Sequence, residues 1–110
     1  MNVLSLSNSV VTTTDDLTLD SGSVVNATAA LSVSFTVLNS GDESMDYAIV
    51  AGNVSDLSDA VIVQNSAELA SGAAGSYAVQ VAPFLYYGVQ VGSAAPSTPS
   101  EATIKGRAKG

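Results

Sequence analysis

The stretch Tyr77 to Val91, Y-A-V-Q-V-A-P-F-L-Y-Y-G-V-Q-V, decides the fold of this chain, and it holds four of the six aromatic residues. Tyr77, Val79 and Val81 alternate with Ala78 and Gln80, and beyond Pro83 the residues Leu85, Tyr87, Val89 and Val91 alternate with Tyr86, Gly88 and Gln90. A period of two in β-branched and aromatic residues marks strands with one buried face. Pro83 has no amide to give a ladder, so it belongs at a bend or strand start. Two strands joined at Ala82-Pro83 are expected.

Working outward, Leu31, Val33, Phe35 and Val37 alternate with Ser32, Ser34 and Thr36, a half-buried antiparallel strand closed by the turn residues Asn39-Ser40-Gly41-Asp42. Asp46 to Val50 is the next strand, with Tyr47 and Ile49 on its core face. Val54 to Asp59 reads as a loop or single helical turn. Val61-Ile62-Val63-Gln64 resumes the sheet, and Ala67-Glu68-Leu69 continues it. Residues 70–76 read as a flexible link, and Gly92 to Ser100 as an exposed loop. Glu101 to Ala108 is the last strand, with Ala102, Ile104 and Gly106 set against Thr103, Lys105 and Arg107. Toward the N-terminus, 3–6 and 10–14 read as short strands around a Ser7-Asn8-Ser9 turn. Leu17-Thr18-Leu19 reads as a brief strand before a turn at Asp20-Ser21-Gly22-Ser23. The sum is an all-β protein, an antiparallel β-sandwich or jelly roll of seven or eight short strands. It forms one domain over 1–110, with 1–30 as an N-terminal arm or edge strands and 101–110 as the last strand and a basic tail.

A chain of 110 residues and 11.0 kDa folds to about 5,600 Å² of surface and buries about 65% of what it exposes unfolded. With no Trp, that core is built from small aliphatic residues. The absence of Cys and His removes thiolate chemistry and the commonest general base and metal ligand. The first residues carry neither a basic region nor a continuous apolar run, so no signal peptide is expected and the chain is expected to begin at its initiator Met and be soluble. The sequons at Asn26 and Asn53 are then idle. The acidic groups Asp15/Asp16/Asp20, Asp42/Glu43/Asp46 and Asp56/Asp59 lack the calcium-loop pattern and read as solvated turn acids, so no metal, cofactor or catalytic residue is expected. Paired carboxylates for glycoside hydrolysis lack a cleft walled by aromatics.

The net charge of −7 is unevenly spread: every acid lies between Asp15 and Glu101, while Lys105, Arg107 and Lys109 are the only bases. Such a body repels phosphate backbones, so neither nucleic acid nor a membrane is an expected partner. From Leu69 to Ser100 no side chain is charged, and such a surface is poorly defended against association. In an extended strand the three alternating bases share one side. Tyr86 and Tyr87 point to opposite sides, one to the core and one outward. Tyr86, Tyr87, Lys105, Arg107 and Lys109 are the candidate partner contacts.

The segments A-I-V-A-G-N-V-S-D-L-S-D-A at 48–60, A-S-G-A-A-G-S-Y at 70–77, P-F-L-Y-Y-G-V-Q-V-G-S at 83–93 and A-T-I-K-G-R-A-K at 102–109 together resemble small β-sandwich virion proteins of tailed phages, of the capsid decoration or cement type. The resemblance spans about residues 45–109. It implies a non-enzymatic protein of the capsid surface, made in the host cytoplasm, that stabilises the shell as a homotrimer bound to the major capsid protein. The alternative is a carbohydrate- or receptor-binding module of a phage tail or fibre, with its site in loops 51–60 or 92–100. Gly88 stands where those virion proteins more often carry a larger polar residue, and the Trp and Arg side chains usual in sugar sites are missing.

Overall fold

The computed structural model describes residues 3–110. Eight strands follow one another without a helix among the described residues: β1 Val3–Thr12, β2 Thr18–Asn26, β3 Ser32–Asn39, β4 Met45–Gly52, β5 Val61–Leu69, β6 Ala74–Val79, β7 Tyr86–Ser93 and β8 Glu101–Lys109. They form two antiparallel sheets, ordered β1-β8-β3-β6 and β2-β7-β4-β5. The pairs β1:β8, β2:β7, β3:β6 and β4:β5 are those of one long hairpin whose tip is the β4–β5 connection. Rolling that hairpin lays β8 onto β3 and β7 onto β4, which gives the eight-stranded jelly roll.

The alternation read in β3 is realised: Val33, Phe35 and Val37 are buried, facing Ala102, Ile104 and Ala108 of β8 and Tyr87, Val89 and Val91 of β7 within one core. Leu31 departs from that series and is exposed, because it precedes the strand and its backbone is tied to Lys109 and Ala82 instead. Tyr77 on β6 and Tyr87 on β7 meet across the two sheets with ring centroids 6.3 Å apart, and Phe84 closes on Tyr87 edge-on at 6.1 Å. The two halves of the deciding stretch therefore lie in different sheets, with Pro83 in the crossing between them.

Three expectations are corrected. Ser7-Asn8-Ser9 is not a turn: β1 runs straight through it, paired with β8 from Ser5 to Thr12. Ser7 is buried beneath the strand, where the bare Gly106 opposite leaves room for its hydroxyl and the Phe35 ring. Asp20 to Ser23 is a bulge inside β2, since Asp20 pairs Val89 and Val25 pairs Tyr87. The Ser23 hydroxyl takes the place of a ladder partner, donating to the Asp20 carbonyl (2.6 Å) and accepting from the Val89 amide (2.9 Å). Residues 70–73 are a tight turn with Gly72 at φ +80°, and β6 begins directly after it.

Candidate functional site

The bases are not on a tail. β8 is a central strand, hydrogen-bonded to β1 on one side and β3 on the other. Its inward residues Ala102, Ile104, Gly106 and Ala108 are buried, so Lys105, Arg107 and Lys109 project from the outer face of the first sheet. Lys105 lies opposite Asn8 and Thr36, and Arg107 opposite Leu6 and Ser34. These are two cross-strand rows, Asn8-Lys105-Thr36 and Leu6-Arg107-Ser34. Between them runs a trough of about 300 Å³, floored by the Ser7, Gly106 and Phe35 segment of the sheet. Leu6 is 69% exposed at one wall. None of the three bases forms an ion pair among the described residues. The trough is thus lined by unpaired positive charge, hydroxyl and amide groups, and one aliphatic side chain. Such a lining suits a carboxylate-bearing group.

Of the tyrosine pair, Tyr87 is fully buried in the core and offers no surface to a partner, so it is withdrawn as a contact residue. Its hydroxyl lacks a hydrogen bond of ordinary geometry. Burial pushes its pKa up, an effect partly offset by the nearby Phe84 backbone and reinforced by Tyr77. Tyr86, half-buried at the start of β7, belongs to the other sheet and does not line the trough. The structure therefore brings Lys105 and Arg107 together with Leu6, Asn8, Ser34 and Thr36, and leaves both tyrosines out.

The two ends of the sandwich differ. The β1–β2, β3–β4, β5–β6 and β7–β8 connections share one end, and there or one residue inside it stand Asp15, Asp16, Asp42, Glu43, Asp46, Glu68 and Glu101. The opposite end carries the exposed apolar residues Leu4, Leu31, Val54, Val61, Val81 and Leu85. Backbone bonds knit that end together: Leu31 donates to the Lys109 carbonyl, Ala82 to that of Leu31, and Ala27 to that of Leu85.

At the acidic end a buried polar network fixes the loops, and nothing in the sequence pattern announces it beyond an Asn that interrupts no strand. Asn39, fully buried, donates to the Glu43 carbonyl (2.7 Å) and the Leu69 carbonyl (2.9 Å), and accepts from the Ser100 hydroxyl (2.7 Å) and the Gly41 amide (3.2 Å). Thr13 continues the chain, accepting from the Ser100 amide (2.8 Å) and meeting the Ser93 hydroxyl (2.9 Å). The Ser71 hydroxyl ties the Gly41 carbonyl from the β5–β6 turn (2.6 Å). The Asp42-Glu43 tip is therefore held rigidly, while its carboxylates make no hydrogen bond among the described residues.

The β4–β5 loop, read as a candidate glycan loop, is folded down onto the second sheet. Asp59 accepts from the Asn53 amide (3.0 Å) and Val54 amide (3.3 Å), and Leu57 is buried. Asp56 accepts from the Ser58 amide (3.0 Å), and that bond holds its carboxyl below the usual range. Among the described residues no group of three acidic, His or Cys side chains is placed to hold a metal ion.

No family model matches the chain, and no curated protein is similar to it in sequence. Solved structures share its fold. A subunit from "Bacillus endospore appendages form a novel family of disulfide-linked pili" is 14% identical, with TM-score 0.58 over 98% of this chain and 88% of its own. PirA is 11% identical, with TM-score 0.54 over 92% of each chain. The SPBc2 prophage-derived protein YomS is 10% identical, with TM-score 0.52 over 94% of this chain and 93% of its own. At these identities the likeness is one of fold: a compact eight-stranded β-sandwich.

Proposed function

We propose that this protein is a non-enzymatic structural component of a phage particle, a decoration or cement protein that binds the major capsid protein at the capsid surface and acts as a symmetric oligomer. The observation that carries this reading is the polarity of the sandwich. One end presents Leu4, Leu31, Val54, Val61, Val81 and Leu85 to solvent, and the other presents carboxylates. Exposed apolar groups gathered in one region, with Val81 72% exposed, mark a protein-binding surface. Occurrence of the same fold in a prophage-derived protein and in an appendage subunit supports an assembly role, as does the resemblance of residues 45–109 to virion proteins.

Co-expression with the major capsid protein of the same phage, followed by sedimentation, tests the proposal. The protein is expected to travel with the shells and raise their thermal transition, and Leu31→Asp combined with Val81→Asp is expected to release it. Shells that sediment without the wild-type protein would exclude the reading.

A further inference from the structure

The trough on the first sheet and the rigid tip at the acidic end are complementary, and neither has a partner within the chain. Lys105 and Arg107 stand two residues apart on a strand, about 6.8 Å along it. Asp42 and Glu43 are adjacent and exposed in a turn, with Cα atoms about 3.8 Å apart. Two carboxylates on the tip thus match two cations in the trough. Ser34, Thr36 and Asn8 line the trough with hydroxyl and amide groups that can donate to them, and Leu6 lines it with an aliphatic side chain. The Asn39 network has already fixed the tip, which lowers the ordering cost of inserting it.

We infer that the Asp42-Glu43 tip of one copy seats in the Lys105/Arg107 trough of another, making a head-to-side contact between copies. The inference deepens the assembly role proposed above and rests on it. Donor and acceptor surfaces are different patches of the molecule, so the contact is heterologous: it closes into a ring if the rotation allows, and otherwise runs on as a chain. The acidic end cannot pair with itself, nor can the three bases. Charge complementarity therefore selects this pairing over a two-fold contact through either surface.

Sedimentation of the full chain, in the absence of shells, tests the contact. Wild type is expected to self-associate at about 0.05 M salt and to weaken at least about tenfold near 0.5 M, as the Debye length falls from roughly 14 to 4 Å. Lys105→Glu with Arg107→Glu, and separately Asp42→Lys with Glu43→Lys, are each expected to yield monomers, because each variant loses one half of the contact. Mixing the two variants should restore association, since the native tip of one fits the native trough of the other and the reversed Lys tip fits the reversed Glu trough. Carrying both sets in one chain should restore self-association through the reversed pair. All four sites are exposed, so folding is retained, checked by circular dichroism. A monomeric wild type at low salt, a trough variant that associates like wild type, or a mixture that stays monomeric would each overturn the inference. So would trough-dependent binding of polygalacturonate fragments to a monomeric wild type, which would assign the trough to an acidic sugar. Because shells are absent, failure here leaves the sedimentation test of the capsid role standing.

Discussion

The two sheets share one core but treat their outer faces in opposite ways. In the β2-β7-β4-β5 sheet the middle strands are covered on both sides, while the edge strand β5 leaves Val61 and Ile62 exposed: Ala48 and Val50 of β4 are as buried as the inward Tyr47 and Ile49, and Leu57, Leu19 and Val24 close over Gly88 from outside. The β1-β8-β3-β6 sheet is covered on one side, and its outer face shows bases, hydroxyls and the exposed Leu6 and Val10. The tip of the rolled hairpin, residues 53–60, thus acts as an internal lid over the middle of one sheet. The outer face of the other sheet has no such cover.

A glycine in each sheet lies against one of these two kinds of cover. A methyl group at Gly106 would enter the Phe35 ring and the Ser7 hydroxyl, neither of which has room to move. Gly106→Ala is therefore expected to cost about 3 kcal/mol. At Gly88 the methyl would meet the mobile ends of Leu19 and Leu57 at 2.9 Å, so Gly88→Ala should cost nearer about 1 kcal/mol. Urea denaturation of both variants decides it, and equal losses would mean the outer lid is as tightly packed as the core.

Leu57 is 6% exposed at φ 57°, a left-handed conformation that favours glycine. Leu57→Ala should lose about 2 kcal/mol of stability through lost burial. Leu57→Gly should lose no more than that, because relief of the backbone strain offsets the missing methyl. A Gly variant clearly weaker than the Ala variant in urea would show that the loop does not hold this conformation.

The contact between sheets is read by pH. Burial raises the pKa values of Tyr77 and Tyr87 above 10.0, so the folded state keeps phenol protons that the unfolded chain releases. Their contribution is fully present below about pH 10 and is lost as pH rises through the folded values. Denaturation midpoints should be flat from about pH 7 to 9 and fall above about pH 10, in step with phenolate absorbance. Tyr77→Phe should make that fall shallower, since one of the two buried phenols is gone.

The smallest effect belongs to the open face. Lys105→Ala and Thr36→Ala should each change stability by less than about 0.5 kcal/mol, since neither side chain is buried or ion-paired. A larger loss on thermal melting would mean that this face is held by interactions within the chain and is not free for a partner.

Much of this contrast is legible in the sequence, for physical reasons that differ by sheet. β3 and β8 belong to the sheet with one wet face, so their apolar residues alternate and can be read directly. β4, M-D-Y-A-I-V-A-G, is buried nearly throughout, and its outward Ala48 and Val50 become intelligible only once Leu57 is seen to cover them. Turn-prone residues misled where tertiary pairing outweighed local preference, as at Ser7-Asn8-Ser9 within β1 and the bulge at Asp20 to Ser23. The bases were legible as a one-sided row, but the trough needed the register that sets Asn8 and Thr36 beside Lys105. Their position late in the chain suggested a tail, whereas the rolled topology places them mid-sheet. Truncation after Ile104 would therefore remove half of a central strand and unfold the sheet.

That central placement of β8 also orders events during synthesis. β1 and β3 leave the ribosome with a strand-wide gap between them, and only the eighth strand fills it. Pairing Val10 with Thr103 closes nearly the whole length of the chain in one step, and such non-local topologies fold in roughly milliseconds to seconds. Nascent chains arrested before Glu101 should be degraded readily by added protease, and chains released beyond Lys109 should resist it. The chain would thus gain its protease-resistant form only after translation has passed the last strand.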